Sequence, residues 1–303
     1  MTTENNPLDT SSLSFSQEQG YEDLPQPLRL EEISDQARVK LWNLLYQHVS
    51  DAFTPENIRW QLTGYSNSWS LWLRILQTLH VEFLGRPLDE FSAVRNSGQL
   101  EFASEYRSLL LQDLTFNRTL DLLQMIMRHP ECPEAFIEGV AAIFEDCRLA
   151  YKVNLRQPVT IVPAVTEQEG AAVVDAMRQL DDARLAGAGS HLREASQRIN
   201  QGDWSSSIRE SIHAVESVAR QLDPEASRTL DPALRSLETE VGLHPALKGA
   251  FSRLYGYTSD EDGIRHALLD DAQSRAGMDE ALFMLSACAA FCSFLLRKYE
   301  AQT

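Results

Sequence analysis

Cysteine is scarce in this chain. Four in 303 residues, irregularly spaced, exclude a disulfide framework. Cys288 and Cys292 stand four apart in an apolar stretch, and Cys132 and Cys147 have no metal-ligand spacing. Buried free thiols in a reducing cytoplasm are the expectation. Basic residues are also few: 27 Lys and Arg against 44 Asp and Glu give a formal charge of −17, which excludes broad, unspecific attachment to nucleic acid. The deficit is uneven. Residues 1–186 hold 15 basic against 27 acidic residues and residues 187–303 hold 12 against 17, so the second part is less acidic and also carries four of the seven histidines. No P-loop, GxGxxG, HExxH or CxxC pair occurs, and no repeat of fixed period, which removes the chemistries most readable from motifs. Long apolar runs are missing too. The most apolar stretch, 281–296, is interrupted by Ser286 and Ser293 and is shorter than the ~20 residues of a membrane span, so it predicts a helix buried in a bundle. The opening MTTENNPLDTSS lacks the basic and apolar regions of a signal peptide. No association with a membrane is expected.

Strand-forming sequence is nearly absent. AYKVNLRQPVTIVPA alone joins two short β-prone runs, through Asn154 to Pro158, and predicts a small hairpin. Everything else with a period reads as helix. SDQARVKLWNLLYQHVSDAF offers Ser34 or Asp35 as N-cap and Val39, Leu41, Trp42, Leu45 and Val49 as an apolar face. Helical patterns continue through 57–83, 103–127 and 134–151, and EQEGAAVVDAMRQLDDARL forms a connecting helix that Gly187-Ala-Gly189 is expected to end. Segments 191–200, 204–222, 229–241, 245–254, 264–276 and 279–299 then follow with short breaks, the pattern of an all-α bundle. The fold class is therefore mostly α. It has a disordered tail over 1–14, a helical domain over 15–163 that ends in the hairpin, a connecting helix and linker over 164–189, and a helical bundle over 190–303.

Two stretches carry candidate chemistry. In WSSSIRESIHAVESVARQL, the residues Trp204, Ile208, Ile212, Val215, Ala219 and Leu222 recur at three- and four-residue steps and mark a buried face. One residue further round, Arg209, His213, Glu216 and Arg220 form a polar stripe that borders it. Glu216 can orient His213 and raise its basicity. Alternatively it bridges Arg209 or Arg220, and His213 is satisfied by a helix neighbour. In FSRLYGYTSDEDGIRHALLDD, Arg265 can hold a phosphate and His266 can relay a proton; alternatively Arg265 pairs with Asp260, Glu261 or Asp262. Tyr255 and Tyr257 can stack on a base or pack beside a turn. The aspartates at 260, 262, 270 and 271 lack calcium-loop spacing, so a solvated acidic face is preferred to a cation site. Trp42, Trp60, Trp69 and Trp72 are read as core rather than as a ligand pocket.

FSQEQGYEDLPQPLRLEEISDQARVKLWNLLY, with AYKVNLRQPVTIVP further on, is similar to the N-terminal domain of AbiJ-type abortive-infection (phage-defence) proteins. SIRESIHAVESVAR with LYGYTSDEDGIRHALLDD resembles the HEPN-type helical domain that follows it in such proteins. The resemblance implies a helical bundle that pairs as a homodimer and acts as a metal-independent endoribonuclease on cellular RNA, tRNA included, while the N-terminal domain senses a phage-derived or protein trigger. Arg265 and His266, together with His213 and Glu216 of the polar stripe, are then the candidates for catalysis, and Arg209, Tyr257 and Asp270 the candidates for holding the RNA substrate, with no metal and no cofactor expected. The HEPN signature runs Arg, then Asn, Asp or His, then a later His. Arg265 and His266 fit its opening, and Asp270, Asp271 and Ala272 stand where the closing histidine belongs. The rival implication is a non-catalytic nucleotide-binding or dimerisation scaffold in a defence complex.

Overall fold

The structure is a computed structural model that describes residues 19, 21, 29–53, 68–92, 101–222, 234, 242–260 and 276–301. Among these residues the fold is mostly α, with one two-stranded hairpin. Helix α1 is Asp35–Ala52, and its cap is Ser34, whose hydroxyl accepts the Ala37 N–H at 3.2 Å. Ala37, Leu41, Trp42, Leu45, Val49 and Ala52 are buried. Val39 does not join them and stays 46% exposed. It stands two residues, about 200° of rotation, from both Ala37 and Leu41, on the opposite side of the helix.

Helix α2 (Ser68–Thr78) and helix α3 (Glu101–Ser108) each end in a π-helical turn, Leu79–Phe83 and Leu109–Asp113. The helical pattern expected to run unbroken over 103–127 stops at Leu114 and Thr115, which are extended, before α4 (Phe116–Arg128) begins. Arg38 makes this break tolerable: its Nη1 donates to the Leu110 carbonyl at 2.9 Å and to the Thr119 hydroxyl at 3.2 Å. Helix α5 (Glu134–Asp146) is shorter than its pattern, because Arg148 takes a positive φ of 51° and turns the chain into β1. Trp42 and Trp72 are core residues, and Trp72 meets Phe136 edge to face at 5.4 Å. The Trp60 position lies outside the described residues, as does the Trp69 side chain.

Strands β1 (Tyr151–Asn154) and β2 (Thr160–Pro163) pair antiparallel, with Val153 opposite Ile161. This is the hairpin the sequence predicts. Side chains cover the outer edge of β2: Arg128 Nε donates to the Val159 carbonyl at 2.7 Å, Gln124 Oε1 accepts the Ile161 N–H at 3.2 Å, and Asn200 Nδ2 donates to the Ile161 carbonyl at 2.9 Å. Tyr151, Val153, Val159 and Ile161 belong to the core of α1 through α5. Val162 belongs to the second core, built by the helices that follow.

Those helices are α6 (Glu167–Asp182), α7 (Ala186–Asn200), α8 (Trp204–Leu222), α9 (Pro245–Asp260) and α10 (Met278–Glu300). A capping box of Thr166 and Glu169 starts α6. The helix stops at Ala183 and Arg184, the latter at φ 60°, and Gly187-Ala-Gly189 forms the first turn of α7 instead of ending α6. The reason is space. A Cβ on Gly189 would sit 3.0 Å from Asp181 Oδ1 and 3.1 Å from Arg193 Nη1, a pair that ties α6 to α7. Helix α9 runs on through Tyr255 and Tyr257, where a turn was expected. Helix α10 is 23 residues and, by length and composition alone, is apolar enough to cross a membrane, but most of that stretch is buried within this structure. Cys288 and Cys292 are buried on it, while Cys132 and Cys147 are partly buried, all four as free thiols. The segment predicted over 229–241 lies outside the described residues except Leu234, and that over 264–276 except Ala276.

Candidate functional site

Helices α7 and α8 are antiparallel neighbours joined by Gln201, Gly202 and Asp203, with Gly202 at φ 76° making the reversal. The turn sets the register across the helix pair. Residues about equally far from it in sequence meet, which brings His191 of α7 over Glu210 and His213 of α8. Ile208, Ile212, Val215, Ala219 and Leu222 are buried and lock α8 in rotation, while Trp204 is partly buried against the same core. That orientation leaves Arg209, His213 and Glu216 half-buried along the border of the seam and Arg220 exposed, as the spacing predicts.

A carboxylate that the structure sets beside His213 is Glu210, one helical turn toward the N-terminus. His191 Nδ1 lies 2.6 Å from Glu210 Oε2, and His213 Nδ1 lies 3.6 Å from Glu210 Oε1. The two imidazole rings meet edge to face with centroids 5.4 Å apart. His191, Glu210 and His213 keep 36%, 23% and 33% of their side-chain surface, so the group opens to solvent while its backbone is held by two packed helices. Tyr257 lies on α9, partly buried against the bundle core. Arg265, His266 and Asp270 lie outside the described residues.

The sequence reading thus found one of three members. Glu210 had a legible signal, since Glu210-Ser-Ile-His213 is an i,i+3 pair on one helix face. Glu216 is the i,i+3 neighbour on the other side of His213. His191 needed the antiparallel helix pairing and its register, which no single-helix period supplies.

Chemically, a carboxylate shared between two imidazoles can pass a proton or hold a cation, and the two uses compete for the same lone pairs. The surrounding charges are largely committed to one another. Arg198 pairs with Glu194 at 2.8 Å and with Asp203 at 3.5 Å, and Arg193 pairs with Asp181. Other clefts offer less: a cavity of about 40 Å³ between α4, β2 and α7 is lined by the amides of Asn117, Gln124, Gln197, Asn200 and Gln201, with room for little more than water.

No curated protein and no solved structure matches the chain. Residues 13–179, which cover α1 through most of α6 and include the hairpin, match the profile of the family AbiJ N-terminal domain 4. That span is more than half of the chain, and the protein belongs to this family of abortive-infection, phage-defence proteins.

Proposed function

We propose that this protein is a cytoplasmic antiphage effector that cleaves cellular RNA, tRNA included, by metal-independent acid–base chemistry in a HEPN-like bundle over residues 190–303. The observation that carries the reading is the pair of half-exposed imidazoles, His191 and His213, centred 5.4 Å apart around one carboxylate. One imidazole takes the proton of a ribose 2′-hydroxyl as the oxygen bonds to phosphorus. The other, as imidazolium, protonates the 5′-oxygen as its bond to phosphorus breaks, leaving a 2′,3′-cyclic phosphate and a 5′-hydroxyl. Glu210 holds an imidazole in place, Glu216 and Arg209 flank it, and Arg265 and His266 supply charge for the phosphorane. Tyr257 stacks on a base, and Asp270 is assigned to substrate binding. Two bundles pair symmetrically, and the N-terminal domain over residues 15–163 responds to a phage-derived or protein trigger.

The test is expression of wild type, His213→Ala and Arg265→Ala in cells, with growth followed and total and transfer RNA run on gels. Growth arrest with RNA fragments, lost in both variants at equal protein level, is expected. Intact RNA in induced or phage-infected cells refutes the enzyme. A second reading, a non-catalytic dimerisation or nucleotide-binding scaffold, draws on the net charge of −17 and on Asp270, Asp271 and Ala272 in place of the closing histidine. It predicts that growth arrest, if any, leaves RNA intact and needs a protein partner.

A further inference from the structure

We infer that His191, Glu210 and His213 form a binding site for a divalent transition metal of the zinc class, one that switches the same imidazoles out of acid–base use. One ligand atom from each of the three lies within 4.8 Å of the others. In a tetrahedral zinc site with bonds of about 2.0–2.1 Å, ligand atoms lie roughly 3.4 Å from each other. His191 Nδ1 lies 2.6 Å from Glu210 Oε2 and His213 Nδ1 lies 3.6 Å from Glu210 Oε1, so the two oxygens of one carboxylate face the two imidazoles, and side-chain movements of about 1 Å bring one donor atom of each residue to tetrahedral spacing.

The donor set fixes the class of ion. Two imidazoles and one carboxylate suit zinc, cobalt, nickel or copper, and disfavour calcium and magnesium, which want oxygen ligands. The backbone arrangement is favourable as well. Glu210 and His213, at i and i+3, present both groups from one turn of α8, the Glu-x-x-His spacing by which bundle helices deliver two ligands to one ion. His191 comes from the neighbouring helix, so the ion bridges α7 and α8. The partial exposure of all three side chains leaves the fourth position to water. Arg209, next to Glu210 in sequence, Glu216, one turn beyond His213, and Glu194, one turn from His191, are charged neighbours on the two helices.

Binding takes the His191 Nδ1 position that now faces Glu210: in the neutral ring the hydrogen moves to Nε2 of the same imidazole, and from the imidazolium one proton leaves to solvent. With a lone pair of each imidazole engaged, neither ring can complete the proton cycle proposed above. The switching consequence rests on that reading, whereas metal binding does not.

The experiment uses the full chain stripped with chelator. Cobalt(II) is titrated while the visible d–d absorption is recorded, and zinc(II) is titrated by calorimetry, on wild type, His191→Ala, His213→Ala, Glu210→Gln and a His244→Ala control, with folding of each checked by circular dichroism. One equivalent of cobalt with tetrahedral-type absorption is expected for wild type and His244→Ala, with loss of binding in the two histidine variants and weakened binding in Glu210→Gln. Absence of stoichiometric binding in wild type overturns the site, as does binding unchanged in folded His191→Ala and His213→Ala. RNA cleavage is then measured with and without zinc. Metal bound but RNA never cleaved removes the ribonuclease reading and keeps the site. RNA cleaved in a His213-dependent way without metal binding does the reverse. Cleavage that saturating zinc leaves untouched, with the site shown to be filled, refutes the switch.

Discussion

Replacing Gly189 by alanine sets helix propensity against a buried ion pair, and the pair should win. Gly189 lies in the first turn of α7 without a positive φ, so alanine is conformationally permitted and by propensity alone would gain up to about 1 kcal/mol. Its Cβ, however, would stand 3.0 Å from Asp181 Oδ1 and 3.1 Å from Arg193 Nη1. Arg193 is 7% exposed, and its Nε finds no hydrogen-bond partner among the described residues, so the guanidinium has little room to retreat. Removing one partner of a buried pair outright costs about 3–5 kcal/mol, the ceiling for a Cβ that forces the pair apart. Asp181 keeps 23% of its side-chain surface, which places this case at the lower end. The net expectation for Gly189→Ala is a loss of about 2 kcal/mol, read by urea unfolding followed by far-ultraviolet circular dichroism at unchanged m-value. The decisive arm is the background Asp181→Asn with Arg193→Met, where the charged pair is gone and a thioether can shift. There Gly189→Ala should turn neutral or stabilising. Stabilisation by Gly189→Ala in the native background refutes the reasoning, and so does an equal loss in both backgrounds.

Three further outcomes follow from the fold. Val39→Ser should leave stability within about 0.5 kcal/mol, whereas Leu41→Ser, two residues on and fully buried, should cost about 3 kcal/mol or more in the same unfolding assay; equal effects would reject the assigned face of α1. Thr166→Ala removes the hydroxyl that accepts the Glu169 N–H at 3.2 Å and should cost about 1 kcal/mol, with no change in melting temperature counting against the cap. Burial raises the thiols of Cys132 and Cys288 from an ordinary 9.0 to about 12 and, as the largest influence, the Tyr151 phenol from 10.0 to about 12. In each case the unfolded chain gives up its proton first. Their contribution to stability is therefore complete only below about pH 8 and drains away as pH climbs through the unfolded values toward 12. Melting temperature should fall between pH 8.5 and 10.5, and Cys288 should resist an aromatic disulfide reagent until the protein unfolds; a flat or rising profile would contradict this.

Much of this architecture was legible because one physical rule sufficed for each piece. The α8 face followed from 3.6-residue periodicity, and the hairpin from two β-prone runs around a proline turn. The Ser34 cap followed from a polar residue ahead of an apolar stripe. The misreadings share a cause. Gly187 and Gly189 have the composition of a helix stop, and only the approach of Asp181 and Arg193 explains glycine inside a helix there. Val39 has the hydrophobicity of a core residue but the wrong angle on the helix, and it stays 46% exposed. The break at Leu114 depends on Arg38, distant in sequence, taking up the Leu110 carbonyl. The candidate site was partly readable for the same reason: His213 lies on a stripe that periodicity defines, while His191 arrives through a tertiary register.

The hairpin has one further consequence. Thr160, Ile161 and Val162 are all buried, and residues of the strand serve different cores, so β2 has no face left for water. It is a party wall. Loosening the helices on one side strips cover from a strand the other side also needs, so neither core can melt without weakening its neighbour. Whatever disturbs α1 through α5 is therefore communicated to the helices carrying His191 and His213 as lost stability, with no hinge and no moving lever required.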